Sequence, residues 1–163
     1  MRVLITGASG MLGATLVEKW EDIFEVYATD KTRFSRSAQK NFLSFDLTND
    51  CYEDLLNWAD PDVIVHCGAI TNVDHCENHR EQAFEVNGIS VKKFLTANKN
   101  TKLILISSDA VFPDGERFPS ESDQPKPANV YGESKQLGEE LILNFGEPHV
   151  VVRTTIIGKN INP

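Results

Sequence analysis

Short apolar runs alternate with longer amphipathic stretches along this chain, and that rhythm sets the fold before any single residue does. Val3, Leu4 and Ile5 form a β-branched and aliphatic run ending at Thr6-Gly7, suited to a buried parallel strand. Leu12, Leu16, Val17 and Trp20 follow at helical spacing. Phe24, Val26 and Ala28 alternate with Glu25, Tyr27 and Thr29, which predicts a second strand delivering Asp30 at its carboxyl end. Residues 31–40 are polar and basic without a period, and read as a loop. Residues 42–47 predict a third strand. A helix capped by Asn49 or Asp50 should then run through Trp58, with Leu55 and Leu56 inward, and stop at Asp60-Pro61. Val63, Ile64 and Val65 predict a fourth strand, followed by the small-residue turn His66-Cys67-Gly68-Ala69. Residues 81–97 carry a helical pattern, with Phe84, Ile89, Val91, Phe94 and Leu95 apolar and Asn87 inside it. Residues 103–106 predict a fifth strand ending in Ser107-Ser108-Asp109. Residues 110–129 form a loop rich in Pro, Gly, Ser and acids, of a length usually kept for function. Residues 131–145 predict a helix with Leu137, Leu141 and Ile142 inward, residues 149–154 a sixth strand, and residues 155–163 no partner element. Six strands alternating with helices predict an α/β fold, a doubly wound parallel sheet with helices on both faces.

In such sheets ligands sit outside the carboxyl ends of the strands, so the first turn carries the most chemistry. Gly7, Gly10 and Gly13 punctuate it with the spacing Gly-x-x-Gly-x-x-Gly. Gly7 allows the tight turn, Gly10 lets backbone approach a pyrophosphate, and Gly13 lets the helix lie close on the strand. Backbone N–H groups around Ser9, Met11 and Leu12, with the positive end of the helix dipole, then supply an anion site. Asp30 suits a carboxylate that accepts from adenosine ribose hydroxyls. Lys31 and Arg33 sit where a 2′-phosphate would lie, which leaves NAD and NADP both open. Asp46, with Leu47, is placed to meet the adenine edge, and the small residues Cys67, Gly68 and Ala69 let ribose and diphosphate lie against backbone. The pattern is Rossmann-like.

Composition narrows the setting. At 163 residues the chain makes one domain rather than two, and 40% hydrophobic content fits a soluble globular fold. A formal charge of −8 with no basic stripe argues against nucleic acid as a partner. No apolar stretch reaches the length of a membrane span, and residue 1 leads straight into a strand, so no membrane and a cytoplasmic address are expected. Cys51, Cys67 and Cys76 show no paired spacing and read as reduced thiols. His75, Cys76 and His79 invite a zinc reading, but no second ligand cluster closes a site, and a polar helix start is preferred; no metal is expected.

Tyr131 and Lys135 are four apart, hence on one helical face. A phenol near pKa 10 costs about 4 kcal/mol to ionise at neutrality, which a nearby ammonium reduces. Tyr131 can then exchange a proton with a substrate oxygen that Ser108 also holds, while hydride moves at the adjacent carbon.

With TGASGMLG, HCGA, SSDAVF and Tyr-Gly-Glu-Ser-Lys together, the chain resembles extended short-chain dehydrogenases/reductases, and most closely the dTDP-4-dehydrorhamnose reductase group. Ile70-Thr71-Asn72-Val73-Asp74 with Glu77 is similar to that group's segment after the fourth strand. Ser107-Ser108-Asp109-Ala110-Val111-Phe112 resembles its S-T-D-Y-V-F. Glu121 and Pro125 through Tyr131 resemble its loop into Y-G-x-S-K, and Arg153-Thr154 its R-T. The resemblance implies reduction of a nucleotide-activated 4-keto-6-deoxy sugar with NAD or NADP. Epimerisation or dehydration by the same residues, or a non-catalytic cofactor-binding regulatory subunit, stay open. Ser108, Tyr131 and Lys135 are the candidate catalytic residues. Candidate cofactor contacts are Gly7, Ser9, Gly10, Met11, Leu12, Asp30, Asp46, Leu47, Cys67, Gly68, Ala69 and Asn87, together with Tyr131 and Lys135. Ala110 departs from the group's aromatic. Thr15 stands where some members carry a metal-linked dimer glutamate, so a homodimer is possible but not implied. Residues 1–163 are expected to be the dinucleotide-binding domain, with the group's substrate lobe absent.

Overall fold

In the computed structural model, the described residues are 1–32, 41–97, 101–113, 115, 119–146 and 148–155. Six strands form one parallel sheet: β1 (Arg2–Thr6), β2 (Glu25–Asp30), β3 (Phe42–Ser44), β4 (Val63–His66), β5 (Lys102–Ser108) and β6 (Val150–Thr154), in the order β3-β2-β1-β4-β5-β6. Pairing runs Leu4 beside Tyr27 and Ile64, Ile64 beside Leu103, and Ser108 beside Thr154. The order reverses between β1 and β4, so Gly7 and Gly68 lie side by side at the switch point.

Alternation decides which face each strand residue serves. Val3, Ile5, Val26, Ala28 and Val65 bury against helix α1 (Met11–Trp20) through Val17. Leu4, Ile64, Leu103 and Leu105 bury on the other face, with Leu55 of α2 (Tyr52–Ala59), Val91 and Phe94 of α5 (Ser90–Ala97) and Ile142 of α6 (Val130–Phe145). Leu4 and Ile64 are fully buried, so each side chain contributes about 1.5–3 kcal/mol of hydrophobic stabilisation.

The expected elements are present, with differences at several of their ends and joins. Strand β3 stops at Ser44 rather than residue 47, because Asp46 makes its own turn: its carboxylate accepts from the Thr48 N–H (2.9 Å) and hydroxyl (2.6 Å), and its N–H donates to Asp50 (2.6 Å). Asp50 is therefore engaged, and α2 starts at Tyr52 with Cys51 as its cap residue in place of Asn49 or Asp50. A short helix α3 (Val73–Asn78), capped by Asn72, precedes the long one, so His75 and Cys76 lie within a helix rather than at a helix start. The pattern over residues 81–97 is divided into α4 (Arg80–Phe84), a π turn (Glu85–Ile89) and α5. Gly138 and Gly88 let α6 cross that π turn closely: a Cβ on Gly138 would lie 2.9 Å from the Asn87 carbonyl oxygen, and one on Gly88 2.6 Å from Leu137. Leu137 accordingly packs on the π turn and is only half-buried.

Candidate active site

The carboxyl ends of the strands enclose a cavity of about 620 Å³. One wall is backbone. Gly7 sits at φ +65°, and a Cβ there would lie 2.6 Å from the Gly68 nitrogen. A Cβ on Gly13 would lie 2.2 Å from the Gly7 carbonyl oxygen, so α1 starts against the strand end only because residue 13 has no side chain. Gly10 donates to Gly7 (3.0 Å) and offers no side chain to cap α1, whose first turn has no acid. Met11, Leu12 and Gly13 therefore present a helix start, with its positive dipole end, to the cavity. The result is a backbone cradle whose close packing a Cβ at residue 7 or 13 would break.

Asp30 closes this wall from the side. Its carboxylate accepts from the Ser9 N–H (2.9 Å) and the Lys31 N–H (2.7 Å), one on each oxygen, and each oxygen keeps a lone pair for a ligand hydroxyl. Ser9 does not itself line the cavity: its hydroxyl donates to the Thr32 carbonyl (2.8 Å). Asp46 and Leu47 line the cavity, but Asp46 is bound to its turn and to the Lys31 ammonium (3.0 Å), bonds that hold its carboxyl well below the usual range. Arg33 lies outside the described residues.

Cys67, Gly68 and Ala69 line the floor. Burial pushes the Cys67 thiol up to about 12, so it stays protonated and inert. Asn87 differs from its expected place. It is fully buried behind the cavity; its side chain accepts from the Ile70 N–H (2.8 Å) and donates to the Ile70 carbonyl (3.0 Å) and Ser134 hydroxyl (2.9 Å). The amide that was expected to contact the cofactor instead staples the loop after β4 to α6.

The opposite wall is made of side chains. Asn129 caps α6 by accepting from the Gly132 N–H (2.8 Å), and Glu77 accepts from the Val130 N–H (2.8 Å), fixing the helix start that carries Tyr131. Gly132 brings that start onto the turn after β5, since a Cβ there would lie 2.2 Å from the Ala110 carbonyl oxygen. Ser108 and Tyr131 thereby both reach the cavity. Burial raises the Tyr131 phenol above its ordinary value; hydrogen bonding with Ser108 opposes this, and Asp109 and Cys76 add to it. Ser108 donates to Asp109 (3.0 Å) and accepts from the Ala110 N–H (3.2 Å).

Lys135 follows Tyr131 by one turn on the same helix. Its amine, 2% exposed, donates to the Ile106 carbonyl (2.8 Å) behind the cavity wall, and burial lowers it to about 8 against the favourable Cys67 and Glu139. The site also holds a charge pair that the sequence did not reveal. Glu139, 1% exposed, accepts from Arg153 at both oxygens (2.7 to 3.1 Å) and from the Ser107 hydroxyl (2.5 Å), and Arg153 covers the Phe112 ring. Lys135 and Glu139 are one helical turn apart, which is the signal that a second charge belonged on the inner face of α6.

The arrangement defines a Rossmann-like, doubly wound domain with a glycine cradle on one side and a Ser-Tyr pair on the other. Residues 1–160 match the family described as RmlD substrate binding domain, and the chain belongs to that family. It is similar to the spore coat polysaccharide biosynthesis protein SpsK of Bacillus subtilis, at 32% identity over 94% of this chain and 52% of that protein. It is also similar to methionine adenosyltransferase 2 subunit beta of Danio rerio, at 34% identity over 96% and 48%. Among solved structures, dTDP-4-dehydrorhamnose reductase from Bacillus anthracis in complex with NADP superimposes with a TM-score of 0.78 at 33% identity, over 93% of this chain and 52% of that one. The chain thus spans about half the length of the relatives it matches. Among the described residues no group of His, Cys, Asp and Glu gathers that could hold a metal, and no helix is long and apolar enough to cross a membrane.

Proposed function

We propose that this chain is the dinucleotide-binding part of an NAD(P)-dependent, short-chain-type reductase acting on a nucleotide-activated 4-keto-6-deoxy sugar. The observation that carries the reading is one cavity with the glycine cradle on one wall and Ser108 with Tyr131 on the other. A nicotinamide dinucleotide, when bound, supplies the hydride. Gly7, Gly10 and the start of α1 hold its diphosphate, and Asp30 accepts from its ribose hydroxyls. Tyr131, kept protonated by burial, gives its proton to the substrate's carbonyl oxygen as negative charge develops there. Ser108 positions that oxygen together with the phenol. Lys135 acts behind them, holding the end of β5 through Ile106 and placing positive charge near the site. The name of the solved Bacillus anthracis relative supports both the substrate class and the cofactor.

Orientation of the sugar needs a second wall, which is assigned to the remainder of a protein of the relatives' length. In the full-length protein Tyr131→Phe should remove most reductase activity while NAD(P)H still binds. Robust turnover by that variant would refute the proton-donor role. The likeness to a methionine adenosyltransferase subunit favours a second reading, a regulatory subunit that binds dinucleotide without turnover. Full-length protein that binds NAD(P)H and reduces none of a panel of 4-keto nucleotide-sugars would select it. Because Lys31 is paired with Asp46 and stands beside Asp30, NAD(H) should bind at least nearly as well as NADP(H). A hundredfold preference for NADP(H), about 2.7 kcal/mol, would sink the assignment of Asp30.

A further inference from the structure

His66 is fully buried at the end of β4, beneath the cavity floor and edge-on to Phe94. It takes no part in the proposed chemistry, yet both ring nitrogens are hydrogen-bonded, and the direction of each bond can be deduced from the far end. In the π turn the Ser90 N–H donates to the Glu85 and Gly88 carbonyls. The Val86 carbonyl, which an α-helical register would give to that N–H, instead accepts the Ser90 hydroxyl proton at 2.6 Å. With its only proton spent, the Ser90 oxygen must accept from His66 Nε2 at 3.0 Å. His66 Nδ1 then carries the lone pair, so the Thr6 hydroxyl, 2.6 Å away, donates to it. The Thr6 oxygen in turn accepts from the Gly68 N–H at 3.2 Å.

We infer that His66 is a positioning residue for the dinucleotide wall: an Nε2–H imidazole in a one-directional chain from the π turn to Gly68, setting the gap between the strand ends that carry Gly7 and Gly68. There is no slack in that gap. A Cβ on Gly7 would meet the Cys67–Gly68 backbone at 2.6 to 2.8 Å, and one on Gly68 would meet Leu47 at 2.8 Å and the Thr6 hydroxyl at 3.3 Å. A break anywhere in the chain therefore moves the cradle. Burial, and secondarily the Lys135 charge, lower His66 to about 3, consistent with a ring that stays neutral.

The role assigned to His66 rests on the dinucleotide reading, whereas its tautomer does not, so the two are tested separately. Nitrogen-15 NMR of the protein should show the Nε2–H tautomer of His66, unchanged from pH 8 to pH 5. An Nδ1–H tautomer, or titration near the ordinary histidine value, overturns the inference. NADH and NADPH titrations follow. Ser90→Ala, which alters no residue in contact with the cavity, should weaken binding at least threefold, and Ser90→Thr should restore it. Thr6→Val should weaken binding tenfold or more, and Thr6→Ser should stay within twofold of the parent. Should Ser90→Ala fail to fold, the Thr6 pair and the tautomer still decide the matter. Unchanged affinity in folded Ser90→Ala overturns the positioning role alone. A parent protein that binds neither dinucleotide while keeping the Nε2–H tautomer overturns the dinucleotide reading, and the role of the wall with it.

Discussion

The two walls of the cavity are built by different means. On the β1 side the chain uses backbone: three glycines, a helix start, and one carboxylate that accepts from two backbone N–H groups. On the α6 side it uses side chains whose charges are taken out of water, Lys135 at 2% and Glu139 at 1% exposure. The first wall depends on what is missing from it, since added atoms collide. The second depends on what is paired within it, since a removed partner strands a charge. Substitutions should therefore fail for opposite reasons on the two sides.

The largest effect belongs to the side-chain wall. Arg153→Ala leaves the buried Glu139 carboxylate hydrogen-bonded by the Ser107 hydroxyl, with the Lys135 charge nearby, and breaking a buried ion pair typically costs about 3–5 kcal/mol. Urea unfolding of the variant should show that loss. Replacing both partners with apolar residues, Arg153→Met with Glu139→Leu, should recover much of it, because the cost lies in the stranded charge. Destabilisation below about 1 kcal/mol in Arg153→Ala would mean that Glu139 is not dependent on this pair.

On the backbone wall the failure is steric. Gly13→Ala drives a methyl to 2.2 Å from the Gly7 carbonyl oxygen and should cost about 1–3 kcal/mol. At Gly10 the same methyl meets only the Gly7 oxygen, at 3.2 Å, and the backbone is ordinary for an L residue at φ −72°. Gly10→Ala should thus fold nearly as well as the parent, while Gly10→Val should fold and lose dinucleotide affinity. Thermal unfolding of the three variants, followed by NADH titration of those that fold, separates a structural glycine from a ligand-facing one. Equal stability of Gly13→Ala and Gly10→Ala would remove the distinction.

This contrast also explains what could be read from the sequence. A backbone wall follows from local rules: strand, glycine spacing, helix, acid at the next strand end, each within about 30 residues. Tyr131 and Lys135 were legible because helix period fixes their common face. Glu139 was not, because an acid on an amphipathic helix ordinarily faces water, and its partner Arg153 comes from another strand. Asn87 was recognisable as a polar residue inside a helical pattern, but only the fold reveals that the Ile70 backbone and Ser134 use up its amide. Asp46 ended β3 early by bonding to Thr48 and Asp50, a local competition that alternation alone does not weigh. The π turn had no sequence signature beyond Gly88, whose purpose depends on Leu137 of the helix it crosses.

A pH series distinguishes the walls again, more gently. His66 lies between them, and its folded value of about 3 is below the ordinary 6.5 of an unfolded chain. Between those values the unfolded state binds the extra proton, so stability is full above about pH 6.5 and declines as pH falls, by at most about 1.4 kcal/mol per pH unit. Asp46 is also lowered, but its window begins near the ordinary aspartate value of 3.8, and the Lys135 window lies between about 8 and 10.5. Stability measured from pH 7 to pH 4.5 should slope downward toward acid in the parent and lie flatter in His66→Asn. Parallel slopes would assign the acid sensitivity to another group.

The smallest effect concerns the hinge between the walls and the chemistry, the start of α6. Asn129 accepts from the Gly132 N–H, and Glu77 accepts from the Val130 N–H, so two donors of the helix start are satisfied from two different directions. Loss of a cap side chain typically costs about 1 kcal/mol. Asn129→Ala should therefore lower stability by about that amount, and Asn129→Ser should keep most of it because a hydroxyl also caps. Cofactor affinity should hardly change, since the glycine cradle is supported separately by Asp30 and α1. In a protein of the relatives' length the proposed turnover should fall more than affinity does, because Tyr131 is two residues from the cap and its distance to Ser108 is set by that turn. A variant that loses stability, affinity and turnover in equal measure would show that the two walls do not respond independently.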